Sequence, residues 1–450
     1  MEDSLRFAQT FPEHEQAAPV MTNAAEEFFR NGDLLRALEV SGLVVTLQPP
    51  ASMELERTAW TVIAHANFDL EQYPSAEQAY QRLLTMPFAE ESDRAEFEDR
   101  IAASIYRQGE QARAAGNVDL AVSEFMRVAA VQPESEFAPT AIYDAGALLI
   151  VSLRWSEALD VLERFRMDYP DHPFNDDVTQ KLAFAYQSAG MSGQAAAEYE
   201  RIATLSGVDP QLNREALWQA ADLYGQQGSM ADQRRVYAEI VERYPVPFDE
   251  SIEARQKLAE LAREADDWAD RQKWLAAIVA ADASAGATRS PRSMTLAAEA
   301  KLELAGPTRD AFMAVKLTAP LKESLKLKKK RMETALAAYG QAADYGIATV
   351  TTAATYEIAN LYYGLSQDLM NSQRPAELSA EEIEQYEILL EEQAFPFEEQ
   401  AIEIFESNAA RARDGVYDKW VRESFARLAE LMPGRYAKDE RSENIVAALD

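Results

Sequence analysis

Residues 136–170 read EFAPTAIYDAGALLIVSLRWSEALDVLERFRMDYP. Apolar residues recur at three and four positions, while the alternation of a strand is absent. A first helical stretch is followed by a short break and a second stretch, which a proline closes. The same plan returns in DVTQKLAFAYQSAGMSGQAAAEYERIATLSG (177–207) and in REALWQAADLYGQQGSMADQRRVYAEIVERYP (214–245). A chain of 450 residues is too long for one simple core, but a repeat grows by stacking units.

The spacing can be measured. The small or polar residue of the second helix falls at Ala76, Ala121, Ala158, Ala195 and Gln233. Four residues on come Tyr80, Phe125, Leu162, Tyr199 and Tyr237, and a weaker unit puts Trp274 in that slot. From Ala121 onward the period is 37 or 38 residues. The alanine lets two antiparallel helices approach, and the large residue one turn later fills the space beside it. Gly116, Gly190 and Gly228 mark breaks that need positive φ, and Pro133, Pro170 and Pro245 end units because they cannot continue a helix.

This pattern resembles the tetratricopeptide repeat (TPR), over residues 20–285 in about seven units, with connections slightly longer than the usual period of about 34 allows. The resemblance implies an all-α superhelix of helical hairpins (an α-solenoid) over residues 1–285, with first helices lining a concave groove. Aligning the units puts Tyr106, Tyr143, Phe184 and Trp218 at one groove slot. Aromatic residues there can hold an extended peptide or a partner helix, or can pack on the neighbouring first helix. The slots are apolar or mixed, which argues against a carboxylate clamp. Phe11-Pro12-Glu13-His14 mirrors Tyr169-Pro170-Asp171-His172, so the chain is expected to open inside the second helix of a truncated unit of a longer natural protein.

Residues 286–320 read as irregular connecting helices, with breaks at 287–293 and 305–310. A longer-helix C-terminal block covers 321–433, and 434–450 is a polar tail. In the block, helices are expected from Leu321 to about Tyr345, from Ala348 to Asn371, from a Ser379–Glu382 capping box, from a new start at Phe395-Pro396-Phe397, and over 417–431. Leu321, Leu325, Met332, Leu336 and Tyr339 form one buried stripe. Lys322, Lys326, Lys328, Lys329, Lys330 and Arg331 are expected largely off it, as a second, weaker partner-binding surface with wet charges. Between Glu381 and Glu406 the sequence holds ten glutamates and no basic residue, so the two segments could pair or could be two solvated faces. Tyr339–Tyr345, Glu387–Pro396 and Asn408–Trp420 carry a second likeness. Around them the chain resembles the C-terminal region of large bacterial envelope TPR proteins, including gliding-motility and TolQ/ExbB-associated members. That resemblance implies a periplasmic or outer-membrane-associated scaffold, with envelope motor or outer-membrane components as partners.

A formal net charge of −32 makes nucleic acid an improbable partner. No cysteine is present, which excludes disulfides, thiol nucleophiles and Cys-ligated zinc. His14 and His172 fall at equivalent turns and read as structural; His65 is the third histidine, and no metal or phosphate-binding motif occurs. The sequence therefore points to a non-enzymatic protein-interaction scaffold with no catalytic residue, metal or cofactor. A cytoplasmic TPR adaptor, or the TPR part of an enzyme whose catalytic domain lies upstream, are the alternatives.

Overall fold

A computed structural model describes residues 2–87, 91–205 and 209–437. The described residues are helical hairpins with no strand, an all-α solenoid architecture. Internal contacts divide the chain into two compact units, one up to Ser229 and one from Met230 onward.

In the first unit, α1 (Glu2–Thr10) precedes hairpins built of α2 (Ala17–Arg30) with α3 (Leu34–Val45), α4 (Met53–Asp69) with α5 (Tyr73–Leu84), and α6 (Glu91–Ala114) with α7 (Val118–Val131). Next come α8 (Phe137–Val151) with α9 (Trp155–Asp168), α10 (Asn175–Ser188) with α11 (Ser192–Ile202), and then α12 (Pro210–Gln227). The even-numbered members are first helices.

Every hairpin turn of this unit has the same backbone device. One residue adopts positive φ, and the next N–H reaches back to a carbonyl five residues earlier, as in Asn117 to Ala112 and Arg154 to Leu149, both at 2.9 Å. Glycine supplies the turn at Gly32, Gly116 and Gly190. Glu71 and Leu153 adopt the same conformation at φ 60° and 59° despite their side chains. Leu153 is exposed, so its side chain gives little packing in return. Leu153→Gly is therefore expected to stabilise the unit by about 0.5–1 kcal/mol. A higher urea midpoint with an unchanged slope would show it.

The hairpin core is a knob in a hole. Ala76, Ala121, Ala158 and Ala195 are fully buried, and Tyr80, Phe125 and Leu162 beside them are buried too. A small residue stands sixteen positions before each large one, on the first helix: Ala64, Gly109, Gly146 and Ala183 precede Tyr80, Phe125, Leu162 and Tyr199. A Cβ on Gly109 would lie 2.7 Å from the Phe125 ring, and one on Gly146 would lie 2.5 Å from Leu162. The small residue is thus as much a part of the repeat as the aromatic one.

The two turn histidines are equivalent in detail. His14 Nδ1 accepts the Gln16 N–H at 3.1 Å, and His172 Nδ1 accepts the Phe174 N–H at 3.2 Å. Phe7 and Phe165 meet the two imidazoles edge-on, at 5.3 and 5.5 Å. The end of α1 therefore matches the end of α9, a second helix.

The second unit runs through α13 (Met230–Arg243), α14 (Phe248–Glu264), α15 (Trp268–Ser284), α16 (Pro291–Met313) and α17 (Leu321–Ala343). It continues with α18 (Ala348–Met370), α19 (Ala380–Ala410), α20 (Lys419–Leu431) and a last turn, α21 (Pro433–Tyr436). The Ser379–Glu382 capping box forms as expected, with both reciprocal bonds present. Two expected breaks do not. Residues 305–310 are helical, with Pro307 inside α16, and Pro396 lies inside α19 rather than opening a new helix. A helix-interior proline forfeits one backbone bond and costs about 3 kcal/mol. In α19 a stripe of Leu390, Ala394, Ala401 and Phe405 is buried on both sides of the proline, and that burial outweighs the lost bond. Of the polar tail, residues 438–450 lie outside the described residues.

Candidate functional site

The turn residue fixes the register of the first helices. Tyr106, Tyr143 and Trp218 each stand ten residues before a positive-φ turn residue, namely Gly116, Leu153 and Gly228. In α10 the residue ten before Gly190 is the exposed Gln180. Phe184 is one turn further along and out of this register. Its ring is half exposed and meets the Trp155 edge at 5.6 Å on the preceding second helix.

Tyr106 and Tyr143 form a ladder between hairpins. The Tyr106 hydroxyl donates to Asp144 Oδ2 at 2.6 Å, and its ring lies 5.3 Å from Phe125 and 5.8 Å from Phe137. The Tyr143 hydroxyl donates in the same way to Asp177, with its ring 4.7 Å from Phe174. Lys181 completes this step: it pairs with Asp177 at 3.1 Å and lies 5.4 Å from the Tyr143 ring centre. Burial first, and then the bonded aspartate, push both phenol pKa values up, so the hydroxyls remain donors. These two aromatics bind successive first helices together. Trp218 is half buried on α12.

Two other hairpins place threonine at the same slot, Thr22 in α2 and Thr61 in α4. Here the first-helix face opens into a recess of about 370 Å³, lined by Glu26, Phe29, Arg30, Arg57, Thr58, Thr61, Val62 and His65. Tyrosine at the slot closes the space between first helices, and threonine leaves it open. Arg30, Arg57 and Glu26 line it beside the Phe29 ring and two threonine hydroxyls, so its lining is mixed. Arg57 donates to the Pro87 carbonyl, and Arg30 pairs with Glu27 at 3.3 Å. The recess was missed in the sequence because it depends on which residues the turn places ten positions upstream.

His65 borders the recess, 6.0 Å from the Phe29 ring and 5.7 Å from Tyr80. Its Nε2 is buried and has no hydrogen-bond partner among the described residues. Burial, reinforced by Arg100, lowers its pKa from the ordinary 6.5. With the folded value below the unfolded one, His65 contributes stability above pH 6.5 that is lost as pH falls through the unfolded value toward the folded one. His65→Phe is expected to flatten the stability profile just below pH 6.5. Urea midpoints of both proteins at successive pH values would measure it, and parallel profiles would contradict it.

In the second unit the basic helix is α17. Lys322, Lys326, Lys329, Lys330 and Arg331 are exposed, but Lys328 is fully buried and corrects the expected wet face. Position 328 is three after Leu325 and four before Met332, on the buried stripe itself. The Lys328 Nζ donates to the carbonyls of Phe312 at 3.2 Å and Val315 at 2.8 Å, and pairs with Asp368. It also lies 4.3 Å from the Phe312 ring centre. Lys328 is a cap on the end of α16 and cannot meet a partner protein. None of the exposed cations of 322–331 pairs with Glu381–Glu406 among the described residues; Lys329 instead covers the Phe397 ring at 5.3 Å.

Among the described residues, no group of three His, Cys, Asp or Glu could hold a metal ion, and no helix is long and apolar enough to cross a membrane. Hairpins with a shared turn, a shared knob-in-hole and a shared register define a tetratricopeptide-like helical-repeat fold. No family model matches the sequence, and no curated protein sequence does. Among solved structures, the chain is similar to a structure of Naa15/Naa10 bound to HypK-THB, at 14% identity and a TM-score of 0.31 over 92% of this chain. The chain spans 64% of that protein's length. It is also similar to the C-terminal part of a TPR repeat-containing protein from Cytophaga hutchinsonii, at 14% identity and a TM-score of 0.27, over 61% of this chain and 98% of that one.

Proposed function

We propose that this chain is a non-enzymatic protein-interaction scaffold that holds a partner protein on the first-helix face of its first unit. The observation that carries the reading is the open recess between α2 and α4, where the repeated slot holds threonine instead of a packed tyrosine. Its mix of an aromatic ring, two arginines, a glutamate and two hydroxyls suits a segment presenting both an apolar side chain and a polar or carbonyl group. Phe184, half exposed on α10, offers a second contact on the same set of helices. The reading extends to the bacterial envelope, with envelope motor or outer-membrane components as partners, and there the C-terminal resemblance supports it.

The test is capture from envelope and cytoplasmic fractions of the source cells, with tagged wild type, Thr61→Trp and Phe184→Ala. Thr61→Trp fills the recess with an indole. Selective loss of an envelope protein with Thr61→Trp, at an unchanged melting temperature, is the expected result. An identical set of captured proteins for wild type and both variants would refute use of this face. Capture confined to cytoplasmic proteins would refute the envelope placement.

A further inference from the structure

In the second unit, the side of α19 away from its own buried stripe combines uncovered apolar side chains with unpaired carboxylates. With about 100° between successive residues of a helix, Glu381, Glu384, Ile388, Glu392, Phe395 and Glu399 lie opposite the buried Leu390, Ala394 and Ala401. All six are exposed, Ile388 at 54% and Phe395 at 61%. Leu389, at the margin of the same side, is 56% exposed. A single exposed apolar residue is ordinary on a protein surface. Ile388 and Phe395, however, stand seven residues apart on one line of one helix, which is the spacing of a helix-packing seam. Glutamate lies between them and on either side of them along that line. None of Glu381, Glu384, Glu392 and Glu399 forms an ion pair among the described residues, and no basic residue occurs from Glu381 to Glu406.

We infer that this face of α19 docks a basic amphipathic helix of a partner protein, as a second docking surface independent of the recess in the first unit. The seven-residue spacing sets the shape of the occupant, because a helix lying along α19 returns to the seam every second turn. Charge complementarity sets its chemistry. A helix with apolar residues seven apart covers Ile388 and Phe395, and lysine or arginine on its flanks meets the glutamates. The net charge of −32 draws such a helix in and opposes a second copy of this chain as the occupant. Residues 438–450 fit no better, since Asp439, Glu440, Glu443 and Asp450 outweigh Lys438 and Arg441. At physiological ionic strength the Debye length is about 8 Å, so the pull of distant acids is screened while ion pairs in contact persist. Binding therefore depends on this face rather than on the charge of the chain as a whole.

The experiment is fluorescence anisotropy of a labelled synthetic peptide titrated with the full chain at physiological salt. The peptide has three heptads, with leucine at a and d, lysine at e and g and glutamine elsewhere, and it spans the stripe's length of about 27 Å. A second peptide of the same composition has its leucines moved off the heptad. The heptad peptide is expected to bind with a dissociation constant on the order of 10 µM or tighter, and the rearranged one about tenfold more weakly or worse. Ile388→Ser/Phe395→Ser, which keeps every charge, and Glu392→Lys/Glu399→Lys are each expected to weaken the heptad peptide about tenfold or more. Glu134→Lys/Asp160→Lys, an equal change of charge at exposed positions of the first unit, is expected to leave it within about twofold. All the substituted positions are exposed, so the helical circular dichroism should match wild type. Equal binding of the two peptides, or equal weakening by the two charge reversals, would mean diffuse attraction and overturns the proposal. No binding below about 100 µM, or binding indifferent to both changes on α19, overturns it equally. A dimer of the chain alone that the α19 variants dissolve would give the face to a second copy and overturn it too.

Discussion

Asp368→Asn is expected to cost the second unit about 3–5 kcal/mol at pH 7, and Lys328→Met only about 1–3 kcal/mol. The order reverses what burial alone suggests, since Lys328 is fully buried and Asp368 is partly exposed. Removing the carboxylate strands an ammonium with two carbonyls and a ring face but no counter-charge. Removing the ammonium puts an apolar chain of similar length in the same space and leaves a carboxylate that water can still reach. What Lys328→Met loses is the cap on the end of α16. Urea unfolding of both variants at pH 7 measures this, and equal losses, or a larger loss for Lys328→Met, would contradict it.

Asn408→Asp should be comparably damaging, by about 3–5 kcal/mol at pH 7, although the two side chains have the same shape. Asn408 is fully buried where α18, α19 and α20 meet. Its amide donates to the Thr352 carbonyl at 3.0 Å and to Ser424 Oγ at 2.9 Å. The Ser424 hydroxyl is committed to the Trp420 carbonyl at 2.8 Å, so it has no proton to give in return. Thr352 Oγ1 donates to Asp418, which caps α20 through the N–H groups of Trp420 and Val421. A carboxylate at 408 would face acceptors, with Asp418 one step away. Its folded pKa would rise above the unfolded value of about 3.9. The loss is therefore absent below that value and grows as pH rises through it. Matched urea curves at pH 4 and pH 7 should show the gap to wild type opening at the higher pH.

The hairpins were legible in the sequence because glycine and proline mark their ends and because Ala and a large residue recur four apart. The turns at Leu153 and Glu71 were not, since there the chain accepts positive φ in residues that do not announce it. The groove slot was read one turn off in α10. An aromatic residue, Phe184, attracted the alignment, while the true register lies in the small residue that faces each knob and in the turn ten residues on. Pro307 and Pro396 were read as helix breaks because proline costs a helix locally, whereas tertiary burial decides over the whole helix. Lys328 carried its own signal, since its position on the Leu325–Met332 stripe outranks its charge once the end of α16 supplies carbonyls. The recess between α2 and α4 was not legible, because it arises from what threonine fails to fill.

The central claim is that a partner protein lies along the first helices of the first unit. Hydrogen–deuterium exchange of the chain with and without its captured partner tests this most directly. Slowed exchange is expected on α2, α4 and α10, strongest around Thr61 and His65, with the second helices α3, α5 and α9 unchanged. Protection confined to the second helices, or none in the first unit while the partner is bound, would contradict it.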